Sequence, residues 1–154
     1  MEVLNMKRLG IFALVVLMAA MPACGKKAEE KKPASKITVN TPKEVQGKWK
    51  AVVLIAEDKN DKSQKEFTVN LGAKATVPGS HTMTVEVKDF FPSFEMQGTT
   101  VTSSSNTEDN PAVNVVVSES GQEIFAGWLF GKYPSTHAFA HPKYAILLKE
   151  GIPN

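Results

Sequence analysis

The strongest constraint on the fold is a period-two alternation of apolar and polar residues that recurs from Val45 toward the C-terminus. Phe67, Val69 and Leu71 alternate with Glu66, Thr68 and Asn70. Met83, Val85 and Val87 alternate with Thr84, Glu86 and Lys88, and Val113, Val115 and Val117 alternate with Asn114 and Ser118. Successive side chains of a β-strand point to opposite faces, so this pattern builds half-buried strands rather than helices. Trp49, Ala51, Val53 and Ile55 share one face of an earlier strand, with Lys48 and Lys50 on the other. Val52 and Leu54 make its second half apolar on both faces, which predicts a central strand. Turn residues punctuate the runs at Asp58-Lys59-Asn60-Asp61, Val77-Pro78-Gly79-Ser80 and Glu119-Ser120-Gly121-Gln122. The first and last of these predict hairpins. The strand returning from the last, Glu123 to Phe130, carries Ile124, Ala126, Trp128 and Phe130 on one face. Ser103 to Pro111 reads as a polar loop, and Tyr144 to Lys149 as a final strand. No stretch sustains a helical period; a single turn around Ser135 to Phe139 is the most that fits. About seven to eight short strands punctuated in this way predict one antiparallel β-sandwich or small barrel over residues 41–154.

A different pattern precedes the strands. Met6-Lys7-Arg8 is a positive segment, and Leu9 to Ala23 is an uncharged, mostly apolar stretch of 15 residues. A membrane-spanning helix needs about 20 residues, so this stretch suits the apolar region of a signal peptide, with Met6 a candidate start. It closes with Ala20-Met21-Pro22-Ala23-Cys24-Gly25, which resembles the lipobox of bacterial lipoproteins. In that family a small residue precedes a cysteine whose thiol is acylated before cleavage. Ala23 fits, Met21 stands where leucine is usual, and Pro22 departs from the pattern. The alternative is an ordinary signal peptide cut near Ala23, with Cys24 a bystander. Lipidation is favoured because Cys24 is the only cysteine and a tether follows at once.

Residues 1–23 are therefore expected to be a lipoprotein signal peptide and residues 24–40 a lipid-anchored charged linker. The linker carries five lysines against two glutamates and has no apolar period, so it is expected to be disordered. Gly25 stands where lipoproteins kept on the inner membrane often carry Asp. The resemblance thus implies a lipid anchor in the outer membrane, with the domain facing the periplasm.

Beyond residue 40 the chain holds 11 basic and 13 acidic residues. A near-neutral domain offers no field for a phosphate backbone, which argues against nucleic acid as a partner. A domain of about 110 residues buries enough surface to fold without a disulfide or a metal.

The candidate chemistry is sparse. His137 and His141 have the four-residue spacing of metal ligands on a helix, but Pro134 and Pro142 leave room for one turn only, and no third ligand is evident. The competing reading is that both imidazoles satisfy backbone groups in a long structured loop. Ser135 beside His137 invites a nucleophile hypothesis, yet the Gly-x-Ser-x-Gly elbow is absent. Carboxylates are scattered over strand faces, which gives paired acid–base catalysis no support. Two aromatic groups remain: Phe90, Phe91 and Phe94 around Pro92, and Trp128, Phe130, Tyr133 and Phe139. Either they plug the strand ends, the favoured structural reading, or they wall a site for an apolar ligand or peptide.

The segment Gly127-Trp128-Leu129-Phe130-Gly131-Lys132-Tyr133-Pro134, followed by His137-Ala138-Phe139-Ala140-His141-Pro142-Lys143-Tyr144, resembles a family of exported bacterial proteins known as domain of unknown function 2155. Gly47-Lys48-Trp49 and Asn110-Pro111-Ala112 fit the same pattern, and the likeness covers about residues 45–149. The resemblance implies a shared β domain and brings no established activity. A weaker similarity, through Trp128-Leu129-Phe130 before Pro134 and through Phe90-Phe91-Pro92-Ser93-Phe94, is to the periplasmic part of ResB-type proteins of cytochrome c biogenesis.

Three functions are compatible with these features. The first is a non-catalytic binding or assembly module of the cell envelope with a protein partner and no cofactor, its narrower form being an accessory to cytochrome c biogenesis. The second is a small-ligand carrier, haem-like, with His137 or His141 as ligand. The third and most remote is a hydrolase.

Overall fold

The computed structural model describes residues 36–154. The signal peptide, Cys24 and the linker through residue 35 lie outside the described residues. The described chain is all β. Its strands are β1 (Thr38–Val39), β2 (Trp49–Asp58), β3 (Gln64–Asn70), β4 (Lys74–Thr76), β5 (Met83–Phe91), β6 (Phe94–Gln97), β7 (Thr100–Ser103), β8 (Ala112–Glu119), β9 (Gln122–Phe130) and β10 (Tyr144–Pro153).

Two sheets form a β-sandwich. One has the order β10-β2-β3 and the other β4-β5-β8-β9. The doubly apolar half of β2 does mark a central strand, flanked by β10 and β3. Its core-facing residues are Val52, Leu54 and Ala56, while Val53 and Ile55 on the opposite face are only half-buried. The alternating valines of the facing sheet meet them: Val85, Val87, Val113, Val115 and Val117 are fully buried. β-branched side chains suit this pleated, half-buried surface.

The hairpins form where turn chemistry places them. β2 pairs with β3 across Asp58–Asp61, and β8 with β9 across Ser120-Gly121. Ser120 and Gly121 have φ of 50° and 82°. Two central residues with positive φ match the twist of the flanking strands, which is the reason such turns close hairpins.

Ten strands are present where about seven to eight were expected. The additional ones are short: β1, β4, β6 and β7 have two to four residues each, too few for alternation to register in sequence. Three of them make a third sheet, ordered β1-β7-β6. Its hairpin turns at Gly98, whose φ of 63° a glycine adopts without strain.

β1 also corrects the reading of the linker as disordered through residue 40. Thr38 N donates to Thr99 O and Asn40 N to Val101 O, both at 2.9 Å, which pairs β1 in parallel with β7. The polar composition there concealed a segment held by main-chain bonds. The turn expected around Ser135 to Phe139 forms without becoming a helix.

Candidate functional site

The third sheet lies over the outward face of β9. That contact creates a second apolar cluster, separate from the sandwich core, of Val45, Phe91 and Val101 with Trp49, Phe94 and Trp128 around them. Phe91 stacks on Trp128 with ring centroids 5.3 Å apart, and Phe94 lies 5.0 Å from Trp128 and 5.1 Å from Phe130. Tilted and edge-on aromatic pairs at these distances add about 0.5–1.5 kcal/mol each beyond the area they bury.

The small sheet does not cover the face completely. An open groove of about 570 Å³ remains, walled by Phe94, Met96, Trp128 and Phe130, with Val101 of β7 and Ile37 beside β1. Phe125, Ala126, Gly127, His137 and Ala138 complete it. Ile37 and Met96 are each 52% exposed, although large apolar side chains usually find cover. Among the described residues no Asp, Glu, Lys or Arg lines the groove.

Local hydrogen bonds and close contacts position the aromatic wall. Asn110 clamps the start of β6: its main-chain oxygen accepts from Phe94 N, and its side-chain amide donates to Phe94 O, both at 2.9 Å. Pro111 abuts Gly131, where an added Cβ would lie 3.0 Å from the proline ring. The loop itself is pinned by Trp49 Nε1 donating to Asn106 Oδ1 at 2.8 Å and by Gly151 N donating to the Glu108 carboxylate at 2.6 Å. Asn110-Pro111 and Gly131 thus meet at the end of β9, and both belong to the motif read from sequence.

The expected site residues separate into distinct environments. Phe94, Trp128 and Phe130 come together at the groove. Phe91 is fully buried beneath Trp128, so it supports the wall and touches no occupant. Phe90 belongs to the sandwich core and packs edge-on against Trp49 at 5.0 Å. Phe139 is also core, 5.6 Å from Phe125. Tyr133 is 60% exposed and lies outside the groove.

The two histidines differ as sharply. His137 lines the groove, at a φ of 50°. His141 stands between Phe139 and Tyr144, each ring 5.7 Å away and nearly parallel. Its Nδ1 accepts from the main-chain N–H of Lys143 and of Tyr144, and its Nε2 faces Glu119 at 3.6 Å. His141 therefore closes a loop. Among the described residues no three of His, Cys, Asp or Glu gather as metal ligands. Neither a carboxylate nor a hydroxyl side chain shares the groove with His137.

Sequence reasoning missed Ile37, Met96 as a groove residue, Val101, and the main chain of β9. Met96 falls on the same face of β6 as Phe94, two residues away, which was the available signal. Ile37 gave none, because its role depends on pairing between β1 and β7.

These features define a class: a β-sandwich carrying an open, uncharged, aromatic groove on an outer face. A family model described as an uncharacterized protein conserved in bacteria, DUF2155, matches residues 52–150, and the chain belongs to that family. No curated protein and no solved structure matches the chain.

Proposed function

We propose that this protein is a non-catalytic binding or assembly module of the bacterial cell envelope, anchored through a lipidated Cys24 and engaging a protein partner at the aromatic groove. The groove carries the reading: partly exposed Phe94, Met96, Trp128 and Phe130 form an apolar surface held rigid from behind. Rigid aromatic walls supply contact area at small entropic cost. Among the described residues no carboxylate or hydroxyl side chain lines the groove with His137, which supports binding over hydrolysis.

A photoreactive residue at Met96 should crosslink one defined envelope protein, while the same residue at Lys65, away from the groove, should not. Equal crosslinking from both positions, or none from Met96, would overturn the reading. Palmitate labelling of the wild type against Cys24→Ala tests the anchor, and an unlabelled wild type would move the protein to the soluble periplasm. The accessory role in cytochrome c biogenesis is the narrowest form of the proposal. It requires the Met96 partner to be a component of that machinery.

One observation favours a second reading, a carrier of a small haem-like ligand. The groove's volume lies within the about 300–1,000 Å³ of ligand pockets, and His137 stands on its wall. His141 is packed between Phe139 and Tyr144 with its Nδ1 taken by two main-chain donors and does not line the groove, which leaves His137 as the residue to supply an axial ligand. A haem titration whose absorbance spectrum is the same for His137→Ala as for wild type would exclude it.

A further inference from the structure

The groove follows a strand edge. Both faces of β9 contribute to its wall, Phe125 and Gly127 from one side and Ala126, Trp128 and Phe130 from the other. A cavity reached by consecutive residues of a strand runs along that strand's main chain. Among the described residues β9 is the last strand of its sheet, bonded to β8 alone.

The ladder register fixes which main-chain groups face the groove. Gly131 N donates to Pro111 O at 2.9 Å. In an antiparallel ladder, opposed residues alternate between pairs that exchange hydrogen bonds and pairs that do not. Continuing from Pro111 and Gly131, the bonded pairs are Val113 with Leu129, Val115 with Gly127 and Val117 with Phe125. The N–H and C=O groups of Ala126, Trp128 and Phe130 therefore point away from β8. Among the described residues nothing hydrogen-bonds to them. The segment from Pro134 to Ala140 passes nearby, but its main chain bonds only within its own turn, Thr136 N to Tyr133 O.

We infer that the groove receives an extended peptide segment of the partner, which adds as a strand to the free edge of β9. This deepens the proposed function and rests on its groove. Three donor–acceptor pairs in a row are a template for another main chain. A lipid chain or a porphyrin could fill the apolar space but would leave that row unpaired. Among the described residues the lining carries no Asp, Glu, Lys or Arg and is mostly apolar, which suits a neutral, apolar segment. From Ala126 to Phe130 the edge extends about 14–17 Å at about 3.4 Å per residue, enough for a five-residue strand. This stretch has none of the lysines, prolines or bulges that usually protect an edge; the one bulge in β9 falls earlier, at Ile124. Alternate side chains of the added strand would enter the space beside Phe94, Met96 and Trp128.

Peptides selected from a random twelve-residue display library against the full chain provide the probe. Binders should carry apolar residues at every second position. N-methylation of the amides facing β9 should weaken binding about tenfold each, a fold-change matching the loss of one hydrogen bond that leaves a buried partner unpaired, whereas methylation of the intervening amides should not. Hydrogen exchange of the Ala126, Trp128 and Phe130 amides should slow at least tenfold in the complex. Ala126→Pro removes a donor that takes no part in the ladder, so it should fold and lose at least tenfold in affinity. If that variant does not fold, the methylation series decides by itself.

A library without binders would overturn the inference. So would binders indifferent to N-methylation, or protection of those three amides in the free protein through pairing of two copies. Trp128→Ala separates the two levels. If it abolishes binding while N-methylation has no effect, the groove is a binding site and the strand-addition mode is wrong.

Discussion

The sandwich core and the aromatic groove share β9 and end in opposite states. The core is filled by short, stiff side chains, with valine at Val52, Val85, Val87, Val113, Val115 and Val117 fully buried between two sheets of matched length. The second cluster is built from rings, and its cover is a sheet of two- to four-residue strands. A strand that short cannot span nine-residue β9, so Phe130, Trp128 and Met96 are left partly in water. A surface that is rigid, apolar and only half covered is fit for recognition, whereas the closed core contributes stability alone.

A large effect is expected where the two regions join. Trp49 packs against both clusters, and Gly151 sits against it: an added Cβ would fall 2.5 Å from the Phe90 ring and 2.7 Å from Trp49. Gly151→Ala should cost about 2–3 kcal/mol, because the Phe90 ring is buried in the core and has no space to retreat into. Urea denaturation measures it, and a loss under about 1 kcal/mol would show that the junction is looser than its geometry.

Truncations in the two regions should then differ. Leu54→Ala removes a fully buried side chain and should cost about 2–5 kcal/mol. Phe130→Ala in the groove should cost no more than about half of the 3–5 kcal/mol of a fully buried phenylalanine. Equal losses in thermal and urea unfolding would mean that the groove is a closed core after all.

Met96→Lys sharpens the contrast further. The side chain is 52% exposed, so stability should change by less than about 0.5 kcal/mol. Binding of groove-selected peptides should nonetheless fall at least tenfold. Calorimetric melting together with a peptide titration separates the two effects.

The smallest effect is electrostatic and confined to the sandwich surface. A hydrogen bond from Lys88, reinforced by the charges of Lys88 and Lys74, holds the Glu86 carboxyl below its ordinary value. A lowered folded-state value stabilises the fold above the unfolded-state value, and that contribution disappears as pH falls through the folded-state value. Glu86→Gln should therefore flatten the acid limb of the stability profile slightly, since the group is exposed and screened. Peptide binding should lack this acid dependence, because no carboxylate lines the groove.

Much of the fold was legible because its signals are local. The alternation of Val113, Val115 and Val117, the central position of β2 and the turn at Ser120-Gly121 each depend on neighbours within a few residues. The aromatic residues of the groove were legible as a group but not by role. Phe90, Phe91 and Phe94 are close in sequence, yet they face the sandwich core, the second cluster and the groove respectively. Residues that adjacent in sequence are told apart only by where the chain turns at Pro92 and what packs against each face.

By itself the sequence determined an all-β domain, its principal hairpins, the buried valine rows and membership of the family whose model covers residues 52–150. Alternation states which side chains share a face, because that follows from the pleat of one strand. It does not state which face is covered. That Ala126, Trp128 and Phe130 look outward, and that Ile37 and Met96 line the groove beside them, was decided by tertiary structure: β1 joins the β6–β7 hairpin only by pairing with β7, 62 residues away at Thr38 and Thr100. The free edge of β9 has the same origin, since a strand becomes an edge only when the whole sheet is assembled and, among the described residues, no strand pairs with its far side.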